Sequence, residues 1–256
     1  MKKNFMRLAK ATLIFIIIMS CLPGCSLFSS KKESHLSSPQ AIYEKGVDYY
    51  QRKKYRDSVN LFQRVKEEYP LSEYALMAEL LIADAYFSEK QFIEAEAAYA
   101  EFVNLHPTNP NLPYVIYQLG MCHFEQIMLI DRDQSATLNA IKEFKRLIAQ
   151  FPSSKYAILA EKHIRYCRQH LAEHEFYIGH FYFKTKRYHA AMKRFETVAR
   201  EYPHLGLDYK VAYYIQETKK NIVIQDKEKL AKEMKTGKTK DNKIQKQTEK
   251  VNTENK

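Results

Sequence analysis

The sequence of 256 residues contains no tryptophan, and it has only 6 glycines and 8 prolines. A β-sandwich or β-barrel needs a turn signal about every 8–12 residues, so this scarcity argues against both folds. With 45% hydrophobic and 28% charged residues, the composition also excludes a collagen-like, a wholly disordered or a polytopic membrane protein. A mostly helical chain with short connections is therefore expected.

The formal net charge of +11 is concentrated at the two ends of the chain. Residues 1–24 contribute +4 and residues 219–256 contribute +6, which leaves +1 for residues 25–218. A basic stripe on a folded domain is therefore not indicated, and we expect no nucleic-acid partner. Residues 226–256 consist mainly of Lys, Glu, Gln, Asn and Thr, a composition that predicts a disordered tail.

The N-terminus has the layout of a secretory signal peptide. An apolar run follows four basic residues and covers 12 residues even when it is extended from Ala11 to Leu22, whereas a membrane-spanning helix needs about 20. The run ends in Leu22-Pro23-Gly24-Cys25, which resembles a bacterial lipobox. This pattern predicts a lipoprotein signal peptide over residues 1–24, a lipid on Cys25 and a flexible, Ser-rich tether over residues 25–40. An ordinary signal peptide followed by an incidental cysteine is the alternative.

Four prolines end four similar segments of the chain. Twelve residues before each proline lies a small residue, and eight residues before it lies an aromatic residue. The two positions share one helical face, where the small side chain admits a neighbouring helix. In chain order, the four sets are Ser58, Phe62 and Pro70; Ala95, Tyr99 and Pro107; Ala140, Phe144 and Pro152; and Ala191, Phe195 and Pro203.

A second set of small residues, in the helix before each of these segments, keeps the same register. The set is Gly46, Ala83, Gly120 and Gly179, and the third member fits only after an insertion of eight residues around residues 130–133. This is the tetratricopeptide (TPR) pattern. It predicts an all-α fold, a right-handed superhelix of about five TPR-like helix pairs over residues 41–225. Residues 154–185 contain no helix breaker except Gly179 and predict one long helix.

No catalytic constellation is recognisable, because GxSxG, P-loop and GxGxxG motifs are all missing from the sequence. His163, His170 and His174 lie near one helix face, but no carboxylate or cysteine completes a metal site there, so a solvated face is favoured. We predict neither a cofactor nor enzymatic activity. Cys122 and Cys167 could form a disulfide in an oxidising compartment, and free buried thiols are the alternative.

In TPR proteins the first helix of each pair lines the inner surface of the superhelix. Positions three before and four after the glycine position, and one further turn back, point to that surface. Large aromatic side chains there suit an extended peptide, because tyrosine combines apolar area with a polar tip. Packing against the adjoining repeat is the alternative for each side chain. The candidate peptide-binding residues are Tyr43, Tyr50, Leu80, Phe87, Tyr114, Tyr117 and Phe124.

The lipobox, the tether and the repeats together resemble the BamD (YfiO/ComL) family of outer-membrane assembly lipoproteins. The resemblance covers roughly residues 35–225 and leaves out the Lys-rich tail. Its most specific stretches are Asp131-Arg132-Asp133-Gln134, Phe144-Lys145-Arg146-Leu147, Phe151-Pro152-Ser153-Ser154-Lys155-Tyr156, Leu171-Ala172-Glu173-His174-Glu175-Phe176 and Lys193-Arg194-Phe195.

The resemblance implies a non-enzymatic subunit of the β-barrel assembly machinery, anchored by its lipid to the periplasmic face of the outer membrane. The N-terminal repeats would bind unfolded outer-membrane protein segments, and the C-terminal repeats would dock on BamA, beside other Bam subunits. Arg194 stands where the family places an arginine that pairs with BamA. Another TPR envelope lipoprotein, such as a secretin pilotin or a cell-envelope scaffold, is the second interpretation. An envelope hydrolase with accessory repeats is the third.

Overall fold

The computed structural model describes the backbone of residues 37–254 and the side chains of residues 37–234. Within these residues every regular element is an α-helix, which confirms the all-α prediction. The helices are α1 (Pro39–Gln51), α2 (Tyr55–Glu68), α3 (Glu73–Ser88), α4 (Phe92–Leu105), α5 (Leu112–Phe124), α6 (Ser135–Gln150), α7 (Lys155–Lys184), α8 (Tyr188–Glu201) and α9 (Asp208–Glu254).

Each helix packs against the helices before and after it in the chain, as in a TPR stack. Helices α1 and α2, α3 and α4, and α5 and α6 form three pairs, and α7 with α8 forms the fourth. Helix α9 packs on α8 as the first helix of a fifth unit. Helix α7 has 30 residues and confirms the long helix that the sequence predicts.

The glycine and aromatic positions of the repeat meet inside each pair. Phe62 and Phe195 are fully buried, and each ring fills the space that a side chain would need on the facing helix. A Cβ on Gly46 would lie 2.6 Å from Phe62 Cε1, and a Cβ on Gly179 would lie 2.7 Å from Phe195 Cε1. Gly120 stands against Phe144 in the same way. The register predicted from the sequence is therefore confirmed by packing.

Three of the four turns within helix pairs contain a lysine in the left-handed region. Lys53, Lys90 and Lys186 have φ angles of 59°, 63° and 59°. In the first turn the N–H of Lys53 donates to the Tyr50 carbonyl at 2.9 Å, and the N–H of Lys54 donates to the Tyr49 carbonyl at 2.9 Å. This is a Schellman helix end, where glycine is usually preferred because it has no Cβ.

The third turn is the long one, spanning residues 125–134 between α5 and α6, as the predicted insertion requires. The side chain of Gln134, the last residue of the turn, closes it. Its Nε2 donates to the carbonyls of Leu129 at 3.2 Å and Arg132 at 3.0 Å. It is also fixed to α7, where His174 Nδ1 donates to the Ile130 carbonyl at 2.5 Å. The insertion loop is therefore an ordered part of the fold.

The signal peptide, Cys25 and the tether up to residue 36 lie outside the described residues. Helix α1 begins at Pro39, inside the predicted tether, and Ser38 Oγ caps it by accepting from Ala41 N at 3.2 Å.

At the C-terminus the structure has a helix where the sequence predicts a disordered tail, because α9 continues to Glu254. Lys, Glu and Gln are good helix formers, and no proline interrupts them. All side chains from Val223 to Met234 are exposed, and the segment still contacts the fourth helix pair where Gln225 Nε2 donates to the Lys186 carbonyl at 3.4 Å. In the described part of the chain, no helix is both long and apolar enough to cross a membrane.

Candidate peptide-binding row and docking residue

The seven candidate peptide-binding residues lie on the first helices of the first three pairs, α1, α3 and α5. Each of the seven is half-buried rather than free on the surface. Most of them reach across to the first helix of the next unit, so together they form a row along the stack. We call this set of seven residues the aromatic row.

At its N-terminal end the aromatic row joins α1 to α3. The Tyr43 ring lies 5.4 Å from the Tyr74 ring on α3, measured between centroids. Tyr50 Oη lies 3.0 Å from Ser88 Oγ at the end of α3, within hydrogen-bond distance. These tyrosines therefore contribute to packing between repeats, the alternative that the sequence left open.

At its other end the row joins α5 to α7. Tyr117 Oη lies 3.0 Å from His163 Nε2, and the Tyr117 ring lies 5.5 Å from the Tyr156 ring. The Phe124 ring lies 4.5 Å from the His163 ring. Burial among these rings lowers the pKa of His163, because the protonated imidazole would lose hydration. The side chains of the row stay half-buried, so each keeps part of its surface open to solvent.

A polar cluster beside the row was not predicted from the sequence. Tyr99 Oη donates to Asp84 Oδ1 at 2.5 Å, and Tyr114 Oη donates to the same oxygen at 2.7 Å. Gln118 Nε2 donates to the Tyr114 hydroxyl at 3.2 Å. Burial raises the pKa of Asp84, although the two tyrosine hydrogen bonds oppose that shift. The cluster ties α3, α4 and α5 together.

Two features of the sequence could have revealed this cluster. Asp84 is an acid in the middle of an otherwise apolar stretch of α3, directly after the small residue Ala83. Tyr99 is the one aromatic core position of the four repeats that carries a hydroxyl group. A buried carboxylate needs hydrogen-bond donors, and a buried tyrosine hydroxyl needs an acceptor, so the pair could have been predicted.

Arg194, the candidate docking residue, lies on α8 and forms an ion pair within the chain. Its Nη1 donates to both carboxylate oxygens of Glu175 on α7, at 3.1 Å and 2.8 Å. The arginine side chain keeps 41% of its exposure and the glutamate side chain 18%. A partner's carboxylate would therefore share this guanidinium with Glu175.

The histidines and cysteines of the sequence analysis occupy separate surroundings. His163 contacts the aromatic row, His174 donates to the insertion loop, and His170 stacks on Tyr166. Among the residues that the structure describes, no group of three or more His, Cys, Asp and Glu side chains could hold a metal ion. Cys122 and Cys167 are free and buried, and burial raises the pKa of each thiol to about 12.

The stacked helix pairs and the contacts between small and aromatic residues define this chain as a TPR-type helical-repeat protein. The Arabidopsis OM64 TPR domain is similar to it at a TM-score of 0.40 and 18% identity, covering 51% of this chain and 96% of that domain. The chain belongs to the YfiO family of outer membrane lipoproteins, whose family model matches residues 36–234.

Two relatives show how far this similarity extends. The outer membrane protein assembly factor BamD of Rickettsia prowazekii (strain Madrid E) is 32% identical over 226 residues, which cover 88% of this chain and 89% of the relative. BamD of Caulobacter vibrioides is 29% identical over 190 residues, covering 73% of this chain and 62% of the relative. The resemblance to the BamD family that the sequence predicts is therefore confirmed.

Proposed function

We propose that this chain is a non-enzymatic, lipid-anchored factor for the assembly of outer-membrane β-barrel proteins. The observation that carries the proposal is the family match over residues 36–234, together with relatives named outer membrane protein assembly factor BamD. A stack of TPR-type repeats supports it, because such stacks expose long surfaces for binding other proteins. In this proposal the lipid on Cys25 holds the protein at the periplasmic face of the outer membrane.

The proposal gives the two ends of the stack different tasks. The aromatic row binds unfolded outer-membrane protein segments, because its half-exposed tyrosine edges offer apolar area and hydroxyl groups to an extended chain. The C-terminal repeats dock on BamA, where Arg194 donates to a BamA carboxylate. In the free protein Glu175 occupies this guanidinium, so a BamA carboxylate competes with Glu175 for it.

The docking half is tested with two variants that break the same ion pair from opposite sides. Arg194→Gln should weaken co-purification with BamA, because the donor to the BamA carboxylate is lost. Glu175→Gln removes the competing acceptor and should keep or strengthen BamA binding. The pair is only partly exposed, so the melting temperature of each variant is measured beside its affinity to show that it folds. Purified protein and the BamA periplasmic region, measured by calorimetry, give the affinities.

The comparison between the two variants decides the role of Arg194. If both weaken BamA binding equally, the ion pair acts by holding α7 against α8, and the proposed contact with BamA is wrong. Recovery of a secretin in place of BamA from solubilised envelopes would instead support the pilotin alternative. Release of soluble protein from a Cys25→Ser variant tests the lipid anchor, and normal membrane sedimentation of that variant would contradict it.

The substrate half is tested with a fluorescent peptide from an outer-membrane β-barrel protein that ends in an aromatic residue. Tyr50→Ala and Tyr117→Ala should each weaken its binding by about tenfold, the loss typical of an aromatic contact of some 1.4 kcal/mol. Tyr213→Ala, an exposed tyrosine on α9 outside the row, is the matched control and should bind normally. If the row variants lower the melting temperature but leave the affinity unchanged, the row serves packing alone.

A further inference from the structure

One position of the repeat is buried on every first helix that follows a complete unit. The same position occurs a second time on the C-terminal half of α7, and there it is exposed. The position lies two residues after the glycine position of the repeat. In a regular repeat it therefore lies 15 residues after the proline that ends the preceding unit. Phe181 occupies it on the C-terminal half of α7 and is 55% exposed. Its counterparts are fully buried at 0% exposure: Ala85, Cys122, Cys167 and Thr218.

The cause is the length of α7. In a regular repeat this face of a first helix packs on the second helix of the preceding unit, as Ala85 does in one core with Phe62 and Val65 of α2. Helix α7 presents the face twice, at Cys167 and again 14 residues later at Phe181, which is nearly four whole turns. Helix α6 covers the first half, where Cys167 is buried in one core with Phe144. Among the described residues, no second helix packs on this face of the second half.

The insertion loop covers only the beginning of this gap. Its Ile130 carbonyl accepts from His174, one turn before the exposed part of α7. Beyond that contact the face consists of Tyr177, Ile178 and Phe181, which we call the α7 step. Tyr177 and Phe181 are exposed, and Ile178 is half-buried.

A first helix that faces water has a different composition, as α1 shows. Helix α1 also has no repeat unit before it among the described residues, and its corresponding positions carry Glu44 and Asp48. Terminal units of repeat proteins generally have such polar outer faces. On α7 the same two positions carry Tyr177 and Phe181. Neighbouring apolar side chains that stay accessible on a face buried elsewhere in the stack are a candidate site of protein contact.

We propose that an amphipathic helix of a partner protein docks on the α7 step and takes the place of the missing second helix. The chain itself shows what fits this face, because amphipathic second helices cover it at α3, α5, α9 and the first half of α7. Helix α4, for example, offers Phe102 and Val103 to the core beside three glutamates on its other faces. The exposed basic residues at the end of α7, Lys184, Lys186 and Arg187, favour an occupant with carboxylates at that end.

This surface is separate from the proposed BamA contact. Phe181 and Glu175 are six residues apart on α7 and therefore point about 120° away from each other around the helix axis. The guanidinium of Arg194 lies on the Glu175 side. The α7 step consequently adds a second interaction surface to the C-terminal repeats.

The test is photo-crosslinking of the full-length, membrane-anchored protein in its native envelope. Benzoylphenylalanine replaces Tyr177, Ile178 or Phe181 in turn, and Tyr209, which is 96% exposed on α9, in the control. Crosslinked peptides are identified by mass spectrometry. We expect the attachment points to fall on one partner segment and to recur every three or four residues, as they do along one face of a helix.

A second variant checks that the contact depends on the step. Phe181→Ser should leave the melting temperature unchanged, because the side chain is exposed, and should reduce crosslinking from position 177 by about tenfold. Tyr209→Ser is the matched control and should leave that crosslinking unchanged.

Three results would overturn the proposal. Crosslinks no stronger than those from position 209 would show that the step is bare in the envelope. Attachment to a second copy of this chain would make it a self-association face, and attachment to lipid would make it a membrane contact. Arg194→Gln should leave the crosslinks intact, so failure of the BamA contact and failure of this proposal give different results.

Discussion

Replacing Gly46 with alanine probes the contact on which the repeat depends. The added Cβ would lie 2.6 Å from Phe62 Cε1 and 2.9 Å from Phe62 Cδ1. Favourable carbon–carbon contacts lie at about 3.5–4.0 Å, so the contact is about 1 Å too short. Phe62 is fully buried in a core with Ile42, Val59 and Val65, and its ring cannot turn away without displacing them. Helices α1 and α2 must therefore move apart.

Two opposing effects set the size of the change. Overpacking a core costs about 1–3 kcal/mol, whereas replacing glycine by alanine inside a helix returns about 1 kcal/mol. Gly46→Ala should therefore destabilise the protein by about 0–2 kcal/mol. In a Phe62→Leu background the ring is gone, and the same substitution should be neutral or stabilising by up to about 1 kcal/mol.

Urea denaturation followed by circular dichroism measures the four unfolding free energies of this cycle. We expect a coupling energy between positions 46 and 62 of about 1–3 kcal/mol, the overpacking cost that disappears with the ring. If Gly46→Ala stabilises the wild-type chain by about 1 kcal/mol and the coupling is zero, the two helices are not in close contact at this position. The repeat register would then need revision.

Three further predictions address other parts of the fold. Asp84→Asn keeps an acceptor for both tyrosines without the buried charge. Because burial raises the pKa of Asp84 in the folded protein, the wild type loses stability as pH rises from about 4, and the unfolding free energy of Asp84→Asn relative to wild type should increase over that range. A decrease over the same range would contradict this. Glycine adopts the left-handed conformation of these turns without the steric cost of a Cβ. Each of the substitutions Lys53→Gly, Lys90→Gly and Lys186→Gly should therefore raise the stability measured by thermal unfolding by about 0.5–1 kcal/mol, and a loss of stability would refute the turn geometry. Ala191→Leu overpacks the fully buried small position of the fourth pair and should cost about 1–3 kcal/mol, whereas an unchanged melting temperature would disprove that burial.

The repeat register could be predicted from the sequence because it is recorded in local spacing. Gly46 and Phe62 are close along the chain, and their complementary sizes recur in four segments. The long helix was predictable for the same reason, since Lys155–Lys184 contains no proline and only one glycine, Gly179, which is buried in the packing. Helical periodicity and helix breakers suffice for both conclusions.

The partners of the aromatic row could not be predicted in this way. Tyr117 meets His163, 46 residues further along the chain, and only the curvature of the stack decides that contact. The helical course of residues 226–254 was missed because a polar, charged composition fits both a disordered chain and an exposed helix.

The long helix gives the molecule an unusual mechanical property. Leu171 and Ala172 are neighbours in α7, but they belong to different hydrophobic cores, one with α5 and α6 and the other with α8. The N-terminal and C-terminal repeats are thus joined by a continuous helical rod of about 45 Å rather than by a loop. Because the backbone of α7 is hydrogen-bonded along its whole length, a movement of the C-terminal repeats should be passed to the aromatic row through this helix instead of being absorbed by a loop.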